Sequence, residues 1–194
     1  MQRGNRTAEN PTAWNLPETL QNKRCRPGTG AVLPWTLDPG LWDKTTMNPS
    51  KIKVLFLCTG NAARSQMAEA LARLDHGDAL DPVSAGSRPA FGVHSLAVDV
   101  MAELGADIAG ARSKSAEEFR DTAFDAVVTV CDSAAQDCPT WPNARRIEHW
   151  SIEDPSFEPD PEVRSRRFVE TRDDLRRRID FLVSELTAQK NEHR

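Results

Sequence analysis

From Lys51 onward the chain alternates between two hydrophobic rhythms. "IKVLFLC" (52–58) is an almost continuous apolar run, the pattern of a strand buried on both faces. "RSQMAEALARLDH" (64–76) then spaces Met67, Leu71 and Leu74 along one face of a helix. "VSAGS" (83–87) predicts a short second strand, "HSLAVDVMAELG" (94–105) a helix closed by Gly105, "DAVVTVC" (125–131) a third strand and "ARRIEHW" (144–150) a fourth. A last helix, starting after Pro161, carries Phe168, Leu175, Ile179, Leu182 and Leu186 at helical spacing, with arginines on a solvated opposite face. Four βα units of this kind predict an α/β fold: an open, doubly wound, parallel four-stranded sheet with flanking helices. No internal repeat is visible.

Residues 1–50 follow neither rhythm. They are polar and rich in Pro, Gly and Asn, with Trp14, Trp35 and Trp42 at no regular spacing. Such a stretch reads as a disordered N-terminal extension ahead of a domain at residues 51–190. Met47, just before the first strand, is a candidate start of the natural chain; the rival reading is a Trp-bearing docking segment. Cys25 falls in the same stretch.

Composition narrows the function. The 194 residues carry 25 basic and 29 acidic side chains, a net charge of -4, so no field of the whole protein draws it to nucleic acid or an anionic membrane. The N-terminus lacks an apolar stretch of signal-peptide length, and no run approaches the roughly 20 apolar residues of a membrane span. The expectation is a cytoplasmic monomer. Four cysteines, Cys25, Cys58, Cys131 and Cys138, are too few for a disulfide scaffold, and in a reducing compartment a disulfide is more often transient and catalytic. The C-x6-C spacing of Cys131 and Cys138 does not fit a zinc site, so no metal and no bound cofactor are expected.

Cys58 stands where the first strand ends, and in open α/β sheets ligands bind beyond the carboxyl ends of strands. The following loop, "CTGNAAR", holds Gly60 and Asn61, the residue types that best tolerate unusual backbone angles. Thr59, Gly60, Asn61, Ala62, Ala63, Arg64 and Ser65 can together form an anion nest of backbone N–H groups at a helix start. Arg64 can add two parallel hydrogen bonds to an oxyanion. The same positive field favours the thiolate of Cys58, and Ser65 can hydrogen-bond that sulfur or a departing oxygen. A small free cysteine at a strand end is also an ordinary core residue, but the order strand, Gly-Asn turn, Arg, Ser, helix points to a nucleophile facing a tetrahedral oxyanion.

"CTGNAARSQMAEA" resembles the phosphate loop of the low-molecular-weight protein tyrosine phosphatase superfamily, and "SQMAEA" is similar to its arsenate reductase branch. The likeness extends over residues 51 to about 185, with Gln66 where the phosphatases usually have proline. It implies a flavodoxin-like strand order of 2-1-3-4 and a general acid in an Asp-Pro loop, which "HWSIEDPS" supplies as Asp154, with Glu153 as second choice. In that order strands one and three are neighbours about 4.8 Å apart, so Cys58 and Cys131 end side by side. Cys131 and Cys138 are seven steps apart, about 10.5 Å on a helix, and that segment must unwind to bridge them within the roughly 7 Å limit for Cα atoms.

Thioredoxin-coupled arsenate reductases have this trio of cysteines. The resemblance implies that Cys58 attacks arsenate, Cys131 attacks Cys58 and releases arsenite, Cys138 attacks Cys131, and thioredoxin reduces the last disulfide, a detoxifying activity of arsenic resistance. Phosphate and sulfate would bind as analogues. It further implies loop support from Asn61, Glu69 and Ser84, which in relatives surround a monovalent cation, with Lys114 standing where those relatives have an aspartate. An ammonium there would replace the cation. Ala63, where some relatives have another cysteine, removes a thiol that no step uses. The rival is a phosphatase sharing Cys58, Arg64 and Asp154; against it, Ser156 follows the Asp-Pro where phosphatases tend to carry aromatics. A non-catalytic oxyanion or redox sensor is the third reading.

Overall fold

The computed structural model describes residues 51–131 and 141–192. The N-terminal extension with Cys25, the three tryptophans and Met47, and the segment carrying Cys138, lie outside the described residues.

Strand β1 (Ile52–Cys58) is followed by helix α1 (Arg64–His76), β2 (Leu80–Gly86), α2 (Ser95–Ala102), β3 (Phe124–Thr129), β4 (Ala144–His149) and a long α3 (Pro161–Glu192). Short 3-10 turns lie at Ala116–Phe119 and Pro155–Phe157. The sheet order is β2-β1-β3-β4 and every pairing is parallel, as expected. With β1 central, its side chains alternate between two cores. Val54, Phe56 and Cys58 face a cluster built with Met67, Leu71, Phe168, Leu175 and Ile179 from the helices, whereas Leu55 and Leu57 pack with Val83, Phe119, Phe124 and Trp141. Burial on both faces is the reason β1 is apolar at every position but Lys53.

Several boundaries differ from the sequence reading. β2 begins at Leu80, before "VSAGS", and contains Pro82. Proline is tolerated there because β2 is an edge strand with one side unpaired. α2 ends at Ala102, and Gly105, at φ +81°, reverses the chain so that the Ala106 N–H reaches the Met101 carbonyl. β3 runs from Phe124 and stops at Thr129, leaving Val130 and Cys131 beyond it. Leu74 is not in the core: it sits in the last turn of α1 beside a small cleft formed with Gly105 and Ile108. Among the described residues no helix is long and apolar enough to cross a membrane.

Candidate active site

The β1–α1 connection converges on Asn61, which is fully buried and adopts φ +47°, the left-handed conformation that asparagine tolerates better than most residues. Its N–H donates to Cys58 Sγ at 3.1 Å, and Ser65 Oγ lies 2.9 Å from the same sulfur. One N–H donor and one hydroxyl able to donate thus face the nucleophile. Gly60 does not use a positive φ, so in this turn the left-handed conformation falls on Asn61. α1 starts without a side-chain cap, leaving its first N–H groups to an anion.

The cradle is held from outside as well. Ser87, Arg88, Ala90 and His94 donate backbone N–H groups to the carbonyls of Cys58, Thr59, Gly60 and Ala62 at 2.7–3.1 Å. Those carbonyl oxygens are engaged before any anion arrives. Gly86 permits the close approach: a Cβ there would lie 2.6 Å from the Thr59 carbonyl oxygen and 2.9 Å from the Asn61 nitrogen. The sequence reading had no role for Gly86, although a glycine at the end of a strand signals close backbone approach.

Behind the loop, the Asn61 Nδ2 donates to Ser65 Oγ (2.9 Å) and Ser84 Oγ (2.8 Å), and Ser84 donates to Glu69 Oε2 at 2.6 Å. Asn61 Oδ1 accepts the Lys114 N–H at 2.7 Å and Gln66 Nε2 at 3.0 Å. Lys114 is 1% exposed, with Nζ 3.2 Å from Glu69 Oε2, while Arg73 holds the other Glu69 oxygen at 3.1 Å. The four residues expected to support the loop are therefore brought together, with an ammonium paired to the buried carboxylate. Gln66, noted only as a departure from proline, also reaches the Arg112 carbonyl at 2.9 Å, and Ser113 Oγ donates to the Asn61 carbonyl at 2.9 Å. Arg112 in turn clips Glu118, whose carboxyl is held below its ordinary value chiefly by that hydrogen bond.

Asp154 follows β4, where the sequence placed it. Its Oδ1 accepts Ser156 N–H at 3.0 Å and Ser156 Oγ–H at 2.6 Å. Arg64 is directed to this segment: Nη2 lies 2.5 Å from Asp154 Oδ2 and Nη1 2.7 Å from the Ile152 carbonyl oxygen. Arginine and acid are thus directly joined, and Arg64 stands next in sequence to Ser65, the hydroxyl on the nucleophile. Glu153 lines a cleft together with Asp154. Phe157, two residues after Pro155, is 85% exposed beside the acid, an aromatic at the mouth that counting only Ser156 had missed.

Cys131 is buried, and its Sγ lies 3.6 Å from Thr59 Oγ1, so it borders the loop at the residue after the nucleophile. The Val130 N–H on the Leu57 carbonyl (2.7 Å) carries the β1–β3 pairing one step past β3 and sets Cys131 at this height. That Thr59 contributes a side chain as well as a loop amide could not be read locally, because its partner is 72 residues away.

Residues 53–192 match the family model for low molecular weight phosphotyrosine protein phosphatases. An arsenate reductase of Halalkalibacterium halodurans is 39% identical over 131 residues, covering 67% of this chain and 94% of that protein. Among solved structures, an arsenate reductase in the phosphate-binding state superposes with a TM-score of 0.61 at 31% identity, over 70% of this chain and 98% of that one. A thioredoxin-dependent arsenate reductase of Corynebacterium glutamicum gives 0.58 at 28% identity, over 75% and 66%. The chain belongs to the low molecular weight phosphotyrosine protein phosphatase family and, within it, stands with the arsenate reductases.

Proposed function

We propose that the protein reduces arsenate to arsenite by a thiol relay running from Cys58 through Cys131 to Cys138, with thioredoxin as the external reductant. It would work as a monomer without a bound cofactor, in a reducing compartment such as the cytoplasm. The observation that carries this reading is the second buried thiol, Cys131, set 3.6 Å from the hydroxyl of Thr59 in the oxyanion loop. A hydrolytic phosphatase has no use for it.

In the first step the Cys58 thiolate attacks arsenic, an As–O bond breaks, and Asp154 gives its proton to the departing oxygen, leaving a Cys58–S–As(V) adduct. The Cys131 thiolate then attacks the Cys58 sulfur. The new S–S bond forms as the S–As bond breaks, and the electron pair of that bond stays on arsenic, which leaves as arsenite. Thr59 Oγ–H supports the thiolate of Cys131 in this step. Cys138 next attacks Cys131, restoring the Cys58 thiolate, and the dithiol of thioredoxin reduces the resulting disulfide.

The test is NADPH oxidation coupled through thioredoxin reductase and thioredoxin to arsenate, measured on wild type and on Cys58→Ser, Cys131→Ser and Cys138→Ser. All three variants are expected to stop multiple turnover. Retained turnover in Cys138→Ser would replace thioredoxin by a small thiol such as mycothiol or glutathione. Hydrolysis of a phosphomonoester unaffected by Cys131→Ser, with no arsenate-dependent oxidation by wild type, would make the protein a phosphatase instead. If neither activity is found, the sensor reading takes its place.

A further inference from the structure

We propose that Asp154 Oδ2 is one seat contested by the Arg64 guanidinium and the catalytic proton, and that Ser156 is the positioning residue that fixes which oxygen this is. The inference rests on the reading of Asp154 as general acid.

The two carboxylate oxygens are held differently. Oδ1 already accepts two hydrogens, from the N–H and the hydroxyl of Ser156. An oxygen so engaged is a poor site for a further proton, so protonation is directed to Oδ2. Oδ2, however, is where Arg64 sits, in a largely buried ion pair that the Ile152 carbonyl helps to align. In the ligand-free protein Arg64 therefore occupies the oxygen that the catalytic proton needs.

A dianion entering the loop competes for the same guanidinium, with more charge and a fork-shaped pair of oxygens. When Arg64 turns to it, Oδ2 is uncovered next to fresh negative charge, and both changes favour uptake of a proton from solvent. Transfer of that proton to the leaving oxygen returns Asp154 to the carboxylate, which Arg64 recaptures as product departs. The acid is thus armed only when the loop is occupied. By reciprocity, acidification must strengthen oxyanion binding.

The other charged groups around Asp154 do not substitute for Arg64. Glu153 and Glu158 share its loop, and Arg167, Glu170 and Asp174 of α3 line the same cleft. Arg167 is paired with Glu170, and Asp174 with Arg177 and Arg178.

Calorimetric titration of the full chain with sodium sulfate, in buffers of different ionisation heat, counts the protons taken up on binding. Sulfate stays a dianion throughout the range of about pH 5 to 8, and a Cys58→Ser background removes titration of the nucleophile. Binding is expected to take up about one proton per sulfate at the lower end of this range. Asp154→Asn should abolish the uptake and tighten sulfate at least about threefold, since Arg64 is released. Ser156→Ala should move the midpoint of uptake to higher pH, because the carboxylate loses a donor, and Ser156→Thr should restore it.

Uptake that persists in Asp154→Asn, or is absent in the parent across the whole range, overturns the competition. A midpoint that is the same for Ser156, Ala and Thr removes Ser156 from it. Sulfate is not turned over, so these outcomes are separate from the coupled arsenate assay, whose failure would strike the functional reading alone.

Discussion

The oxyanion loop and the acid loop meet at Arg64, yet they are secured in opposite ways. Around the first, Asn61, Ser65 and Ser84 are fully buried, and Asn61 is bonded through both side-chain polar atoms, its N–H and its carbonyl. The acid loop carries its polar contacts within a few residues, from Asp154 to Ser156 and Phe157. From elsewhere, Arg64 reaches it with two bonds, to the Ile152 carbonyl and to Asp154 Oδ2. A preorganised cradle stabilises charge without reorganising during the reaction, whereas an acid that must gain and lose a proton benefits from a partner that can leave.

Two substitutions separate the halves of this contrast. Asp154→Asn should lower kcat about 100- to 1,000-fold with a moderate loss of thermal stability from the broken Arg64 ion pair, limited because the amide keeps the Ser156 contacts at Oδ1 and Arg64 keeps the Ile152 carbonyl. Asn61→Ala should cost more stability, about 2–4 kcal/mol in denaturant unfolding, by leaving buried partners unmatched and placing alanine at φ +47°. If Asp154→Asn proves the more destabilising of the two, the contrast is wrong. Gly86→Ala comes next: its methyl would collide with the loop backbone, and a loss of about 1–3 kcal/mol with weaker sulfate binding is expected. Unchanged binding would show that the β2 end does not define the cradle.

What the sequence revealed and concealed follows the same division. β1, the loop and α1 could be placed to the residue because an apolar run, a Gly-Asn turn and a helical face are all local signals. Asp154 could be placed through its Asp-Pro, once a resemblance assigned it a role. The contacts that decide how these parts work span 46 to 90 residues: Gln66 to Arg112, Asn61 to Ser113 and Lys114, Thr59 to Cys131, and Arg64 to Asp154. No periodicity encodes them. Arg64 is the instructive case, since its chemistry suits an oxyanion, and a carboxylate offers the same pair of oxygens when no ligand is bound.

Lys114 sharpens the comparison from behind the loop. Its ammonium satisfies Glu69 inside the network, so wild-type arsenate turnover should be the same within about twofold in potassium and in sodium salts. Lys114→Ala should lose affinity for sulfate about three- to tenfold and regain part of it in potassium, the ion then filling the vacated charge. Strong potassium activation of the wild type would remove the lysine from this role.

The smallest effect concerns the clip on the same segment, where Glu118 joins Arg112 and the Ser115 N–H. The hydrogen bond from Arg112 lowers the Glu118 carboxyl from its ordinary value of 4.5, so its contribution to stability is fully present above that value and fades as pH falls through the lower folded one. Both partners are well exposed, at 46% and 37%, so the pair is screened and worth little more than about 1 kcal/mol. Glu118→Gln should therefore lower Tm by a few degrees at neutral pH, and the gap should close both near pH 3 and in about 1 M salt. The buried Lys114–Glu69 pair, within a few residues along the same stretch, should be indifferent to that salt. Equal salt sensitivity of the two pairs would mean that solvent reaches Glu69, and that the support behind the oxyanion loop is as loosely held as its surface clip.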